Sequence, residues 1–161
     1  MKQIINNQAT KQIAILATDG VDENRLLSMK NALAKRGIAS TIISPKPSTI
    51  KGLNGSILKV DQHLSNTNSR LFDAVYIPNG EESVFSLQVE KQAIIFINEA
   101  FRNHKVIAAD AEGEELLYVT QVGSALNDSS MEGILLNPMH YQFANAINAN
   151  TLWNSGDRIS A

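Results

Sequence analysis

Residues 106–117, Val106-Ile107-Ala108-Ala109-Asp110-Ala111-Glu112-Gly113-Glu114-Glu115-Leu116-Leu117, decide the fold. Four apolar residues without alternation read as a strand buried on both faces, as in parallel sheets. A turn follows at once, and a short helix is expected over residues 112–120. The same order occurs earlier: Gln12–Ala17 is a continuous apolar run, Thr18-Asp19-Gly20 a turn, and Asp22 and Glu23 open a helix. Leu26, Leu27, Met29 and Leu33 recur there at helical spacing, and acidic residues in the first turn suit the positive end of the helix dipole. Gly37 is placed as the glycine that stops this helix after Lys35 and Arg36.

Working outward, Ile38–Ser44 is a second strand, ended by Pro45 and Pro47. Ile50–Leu53 and Ser56–Val60 flank Asn54-Gly55, a strong hairpin signal. Phe72–Ile77 is a further apolar strand, closed by Pro78-Asn79-Gly80. Ala93, Phe96, Ile97, Ala100 and Phe101 place one apolar stripe on a helix over residues 90–103. Ile134-Leu135-Leu136 predicts a last strand, and Asn137-Pro138 predicts an N-cap and first helical position for a helix carrying Phe143 and Ile147. Strands alternating with helices at this spacing imply an α/β fold, a flavodoxin-like three-layer sandwich with a mostly parallel sheet and a small β-hairpin insertion. Residues 12–161 are expected to form one domain, with the polar, aperiodic residues 1–11 as a leader or linker.

The 161 residues fit a single domain of ordinary size, and 43% hydrophobic content supports a full core. A net charge of −2 argues against a nucleic-acid partner, which needs a strongly basic face. No apolar run approaches the ~20 residues of a membrane span, and residues 1–7 turn polar too early for a secretory signal. A cytoplasmic location is therefore expected. The absence of cysteine removes disulfides, thiolate metal sites and cysteine nucleophiles together.

In such a sheet, ligands bind beyond the carboxyl ends of the strands. Three segments meet there: Thr18–Asp22, Pro78–Glu81 and Asp110–Gly113. The last is a strand–elbow–helix junction, a geometry that can hold a nucleophile above backbone amides. Asp22, Asp110, Glu112, Glu114 and Glu115 could form an acidic pocket, but helix N-termini attract carboxylates on electrostatic grounds alone. His63, His104 and His140 show no paired spacing, so no metal site is expected. Phosphate-binding glycine motifs are absent, and no cofactor is expected. Asn54-Gly55-Ser56 and Asn127-Asp128-Ser129 match the glycosylation triplet and read as turns.

These segments, with Lys51-Gly52-Leu53-Asn54-Gly55 and the run from Ala93 to Ala109, resemble the superfamily of PfpI-type peptidases and class I glutamine amidotransferases. More narrowly they resemble the flavodoxin-like domain at the C-terminus of large-subunit catalases. Trp153 and Arg158 are similar to a Trp and Arg that close such chains. The resemblance places Ala111 where active relatives carry their cysteine, Glu112 where a histidine follows it, and Gly113 on the next glycine. It places Asp22 on the activating carboxylate, and Gly80 and Glu112 on the two oxyanion amides. The frame of a site is kept and its reactive atom is not. The resemblance therefore implies a non-catalytic structural and interaction domain, whose partner is a further copy of itself or a catalase core. The alternative is a stand-alone PfpI-like small-molecule enzyme or chaperone-like protein working through Asp22 and Glu112.

Overall fold

The computed structural model describes residues 10–126 and 132–154. Six parallel strands form the central sheet: β1 (Lys11–Leu16), β2 (Ile38–Ser44), β5 (Gln62–His63), β6 (Ala74–Ile77), β7 (Val106–Ala109) and β8 (Ile134–Leu136). Their order is β5-β2-β1-β6-β7-β8. A separate antiparallel pair, β3 (Thr49–Lys51) and β4 (Ile57–Lys59), forms the hairpin.

Strand alternation sends successive side chains to opposite faces, and the two cores follow it. Ile13, Ile15 and Tyr76 face α1 (Glu23–Ala34), the hairpin and α6 (His140–Asn154), where Leu26, Leu33, Phe143 and Ile147 are buried. Ala14, Leu16, Val75 and Ile107 face α2 (Glu81–Gln88), α3 (Lys91–Arg102), α4 (Gly113–Tyr118) and α5 (Gln121–Ala125). The fold is the flavodoxin-like three-layer sandwich with a parallel sheet and a hairpin insertion. No described helix is long and apolar enough to cross a membrane.

Several boundaries differ from the sequence reading. β1 begins at Lys11, inside the expected leader, because Lys11 pairs with Ile38. The helix expected over residues 112–120 is α4, confined to Gly113–Tyr118. Asn137 is not a helix cap. Its φ is +53° and α6 starts three residues later at His140. There Gln142 Oε1 accepts the Met139 N–H at 2.8 Å, so the side chain that serves this helix start comes from within the helix and not from Asn137. The Asn127-Asp128-Ser129 triplet, Arg158 and the Trp153 side chain lie outside the described residues.

Glu23 fixes the hairpin. Its side chain is 1% exposed, and its carboxylate accepts the Asn54 N–H at 2.9 Å and the Ser56 N–H at 3.1 Å. Burial alone raises its pKa, but the N–H groups of its own backbone, Asn54 and Ser56 outweigh that and hold it below the ordinary 4.5. A depressed carboxylate stabilises the fold above its unfolded pKa and loses that contribution as pH falls through the folded one. Glu23→Gln is expected to lower the urea midpoint at neutral pH. Its deficit against the parent should shrink as titration proceeds below pH 4.5. A deficit that stays constant down to acid unfolding would show that charge is not the cause.

Candidate functional site

The sheet order reverses between β1 and β6, where open α/β sheets leave their ligand crevice. Here the two loops beyond those strands touch backbone to backbone. The Asp22 N–H donates to Asn79 O at 2.9 Å. Gly80 has φ +131°, and a Cβ there would lie 2.6 Å from Gly20 O and 2.9 Å from Asp22 N. Only glycine fits that approach.

The elbow stands next to this contact. β7 ends at Ala109, the Asp110 N–H reaches Ile77 O at 3.0 Å, and Ala111 adopts φ +38°. The chain then turns sharply into α4, with the Gly113 N–H bonded to Asp110 O at 2.6 Å. A Cβ on Gly113 would meet Ile77 O at 2.7 Å, so the turn is seated directly on the end of β6. Three further amides at and beside the elbow meet side chains of the same chain. Asn137 Oδ1 accepts from Ala111 N at 2.6 Å, Asn79 Oδ1 from Glu112 N at 3.2 Å, and Glu112 Oε1 from Gly80 N at 3.4 Å. Asp22 is the N-cap of α1, its Oδ1 accepting the Arg25 N–H at 3.1 Å.

Beneath the elbow lies a polar cluster. Asp110 is 2% exposed, and its carboxylate accepts the hydroxyl of fully buried Tyr76. Arg25 approaches from the first turn of α1, with Nε 3.2 Å from Oδ2 and Nη2 3.0 Å from Oδ1. Burial first, and then the Asp110 charge and hydrogen bond, push the Tyr76 phenol far above its ordinary pKa. The Tyr76 ring also packs on Phe143, with centroids 6.0 Å apart. One carboxylate thus joins β6, β7 and α1 under the turn.

The family of the C-terminal domain found in long catalases matches residues 9–149. This chain belongs to that family. Catalase-2 of Bacillus subtilis is 34% identical over 113 residues, 70% of this chain and 16% of that protein. Catalase HPII of Mycobacterium avium is 31% identical over 123 residues, 76% of this chain and 17% of that protein. The chain spans about a sixth of the length of these curated relatives. A ThiJ/PfpI domain protein from Brachyspira murdochii shares the fold, with a TM-score of 0.70 and 14% identity over 92% of this chain and 99% of that one.

In this catalase C-terminal domain the structure brings Gly80, Glu112 and Gly113 together around Ala111, while the carboxylate of Asp22 is engaged by its own helix. The group of α1 that reaches Asp110 is a guanidinium, Arg25. Sequence reasoning passed over this cluster by treating Asp110 as one more helix-terminal carboxylate. The available signal was Tyr76: a phenol inside an apolar strand requires a hydroxyl partner, and a buried acid requires a cation. His63 Nδ1 accepts the Ser65 N–H at 3.1 Å, and His140 Nε2 lies 3.4 Å from Ser28 Oγ. Among the described residues no group of three or more His, Asp and Glu side chains is arranged to hold a metal ion.

A raised phenol pKa means that stability is intact below the unfolded tyrosine value of 10.0 and is lost as pH rises beyond it. In an alkaline titration followed by phenolate absorbance, Tyr76 is expected to ionise only together with unfolding seen by circular dichroism. Early ionisation of all three tyrosines in a folded chain would contradict the cluster. The left-handed Ala111 leads to a second expectation. Ala111→Gly should keep or raise the melting temperature, because an L-residue in that region costs roughly 1–2 kcal/mol. A clear loss would mean that the Ala111 methyl carries packing that outweighs the strain.

Proposed function

We propose that this domain is a non-catalytic structural and interaction module, in which the elbow serves packing rather than chemistry. One observation carries the reading: the two backbone donors that would hold an oxyanion, Gly80 N–H and Glu112 N–H, are occupied by the side chains of Glu112 and Asn79 of the same chain. Ala111 has no atom that can attack a substrate, and Glu112 brings a carboxylate where an oxyanion would need donors. The rival enzymatic reading asks Asp22 and Glu112 to act on a substrate. Asp22 caps α1 and Glu112 lies against Gly80, which argues against that use.

The membership in long-catalase domains supports a place beside a catalase core, with the residues before β1 as the linker and the chain from Lys11 onward as one domain. The partner is then that core or another copy of the domain, and the location cytoplasmic. The vestigial site consists of Asp22, Gly80, Ala111, Glu112 and Gly113. Catalase chemistry does not fit the described tyrosines. The resemblance to catalases implies a haem tyrosinate kept ionised by an arginine four residues before it, and the residues four before Tyr76, Tyr118 and Tyr141 are Phe72, Glu114 and Asn137. Tyr76 is moreover held neutral by burial and Asp110.

The test is incubation of the purified chain with reactive carbonyl compounds, glutamine and short peptides. Turnover should not exceed buffer. The Ala111→Cys variant should also remain slow toward iodoacetamide at neutral pH, since the neighbouring Glu112 carboxylate disfavours the thiolate. Turnover by the parent that disappears in Asp22→Ala and Glu112→Ala would establish the enzymatic reading instead.

A further inference from the structure

The chain holds two Asn-Gly pairs, Asn54-Gly55 and Asn79-Gly80, and the fold treats them oppositely. Such a pair can react with itself: the glycine nitrogen reaches the asparagine side-chain carbonyl carbon, and no glycine side chain hinders the approach. Asn79-Gly80 is closed to this. Asn79 Oδ1 is held by the Glu112 N–H, the Gly80 N–H is directed at Glu112 Oε1, and buried Gly80 lies so close to Gly20 and Asp22 that no Cβ would fit. Asn54-Gly55 is open. Both residues are exposed in the loop 52–56 that joins β3 to β4, and nothing but chain neighbours comes within 4 Å of a Cβ built on Gly55.

Main-chain contacts hold that loop. The Gly55 N–H donates to Gly52 O at 3.0 Å, and the N–H groups on either side of it, from Asn54 and Ser56, converge on Glu23 Oε2. The side chains of residues 53–56 are all exposed, so opening the loop uncovers none of the core. The Gly55 nitrogen is therefore freed by a small local opening. Freeing the Gly80 nitrogen means parting the loops beyond β1 and β6, which are joined backbone to backbone.

We propose that Asn54 is a site of spontaneous deamidation, and that the isoaspartate formed there detaches the hairpin loop from Glu23. The Gly55 nitrogen, having given its proton to hydroxide, bonds to Asn54 Cγ. The bond from Cγ to the side-chain nitrogen breaks, and ammonia leaves with a proton from water. Water then opens the resulting cyclic imide. Attack at the former backbone carbonyl leaves that carbon as a free carboxylate and routes the main chain through Cβ and Cγ, one carbon longer. Nothing is oxidised or reduced, and water is the co-reactant. Both consequences fall on Glu23. The Asn54 and Ser56 amides share one carboxylate oxygen, so a longer chain between them cannot keep both bonds. The new carboxylate also stands beside the buried charge of Glu23, which Gly52 packs against with no room for a Cβ.

The test is incubation of the folded 161-residue chain at body temperature and mildly alkaline pH, followed by tryptic mass spectrometry. Trypsin separates the pairs onto peptides 52–59 and 71–91, each with a single asparagine, and electron-transfer fragmentation tells isoaspartate from aspartate. Asn54 should convert at least ~10-fold faster than Asn79, as a modest difference in local opening free energy gives. In urea the two rates should draw level. Glu23→Gln should speed Asn54 severalfold and leave Asn79 unchanged, with circular dichroism checking the fold; if that variant does not fold, the comparison of the parent with and without urea decides. Chain enriched in isoaspartate at position 54 should unfold at a lower urea midpoint than the parent. Asn54→Asp, which adds the charge without lengthening the chain, should lose less. Equal rates at the two pairs in the folded chain, a difference that persists in urea, or an isoaspartate form as stable as the parent would overturn the proposal.

Discussion

A carboxylate at the end of a parallel strand, closed off from solvent, sets the terms for the top of this molecule. Asp110 is 2% exposed, and an unpaired charge there would destabilise the fold by about 3–5 kcal/mol. The pairing comes from two different elements, the Tyr76 hydroxyl on β6 and the Arg25 guanidinium on α1. Meeting that requirement draws the end of β6, the end of β7 and the first turn of α1 to one point. Arg25 is half in solvent while Asp110 is not, so the cation keeps part of its hydration and the main desolvation cost falls on the acid. The elbow is built on this junction, and the shape of residues 110–113 follows from what lies below them.

Two buried carboxylates hold this end of the fold, by different means. Asp110 is met by a cation and a phenol, whereas Glu23 is met by backbone N–H groups of the hairpin loop. The first joins strands to a helix inside the sandwich, and the second fixes an insertion to that same helix. Asp22 immediately precedes Glu23 in sequence and caps the helix. The opening residues of α1, which resemble an activating loop, are therefore occupied by structural bonds: a cap, a hairpin anchor and a counter-charge.

The apolar skeleton was legible because strands buried on both faces are uniform runs: β6 and β7 are so throughout, β1 and β2 over their C-terminal four residues, while β8 at the sheet edge is an apolar run only partly buried. Helix α3 was legible through its stripe of Ala93, Phe96, Ile97 and Ala100. Helix α2 was not. Its eight residues bury Val84 and Leu87 but expose Phe85, with Val89 exposed just after it, so the apolar residues mark no single face. Strand β5 is two polar residues long, below what periodicity can register. Asn137 was misread because Asn-Pro before a helical pattern signals a cap; its side chain instead holds Ala111 N, a contact across 26 residues that no local rule reports. The elbow itself was visible as a resemblance, while Arg25 and Tyr76 beneath it depended on three-dimensional neighbours.

Ala111 shows how an elbow can be held in place with no reactive atom at its tip. A left-handed alanine is unfavourable by itself, so its neighbours must impose the conformation. They do so from three sides: Asp110 is tied to Tyr76 and Arg25, Gly113 sits against Ile77 O, and Asn137 binds Ala111 N. None of these constraints involves a nucleophile. The amides of Gly80 and Glu112 beside the turn require partners, because unpaired backbone donors shielded from water cost free energy. Glu112 and Asn79 supply those partners from within the chain. The protein's own side chains thus make this turn a hydrogen-bonded corner, set by the strand below it and the helix after it.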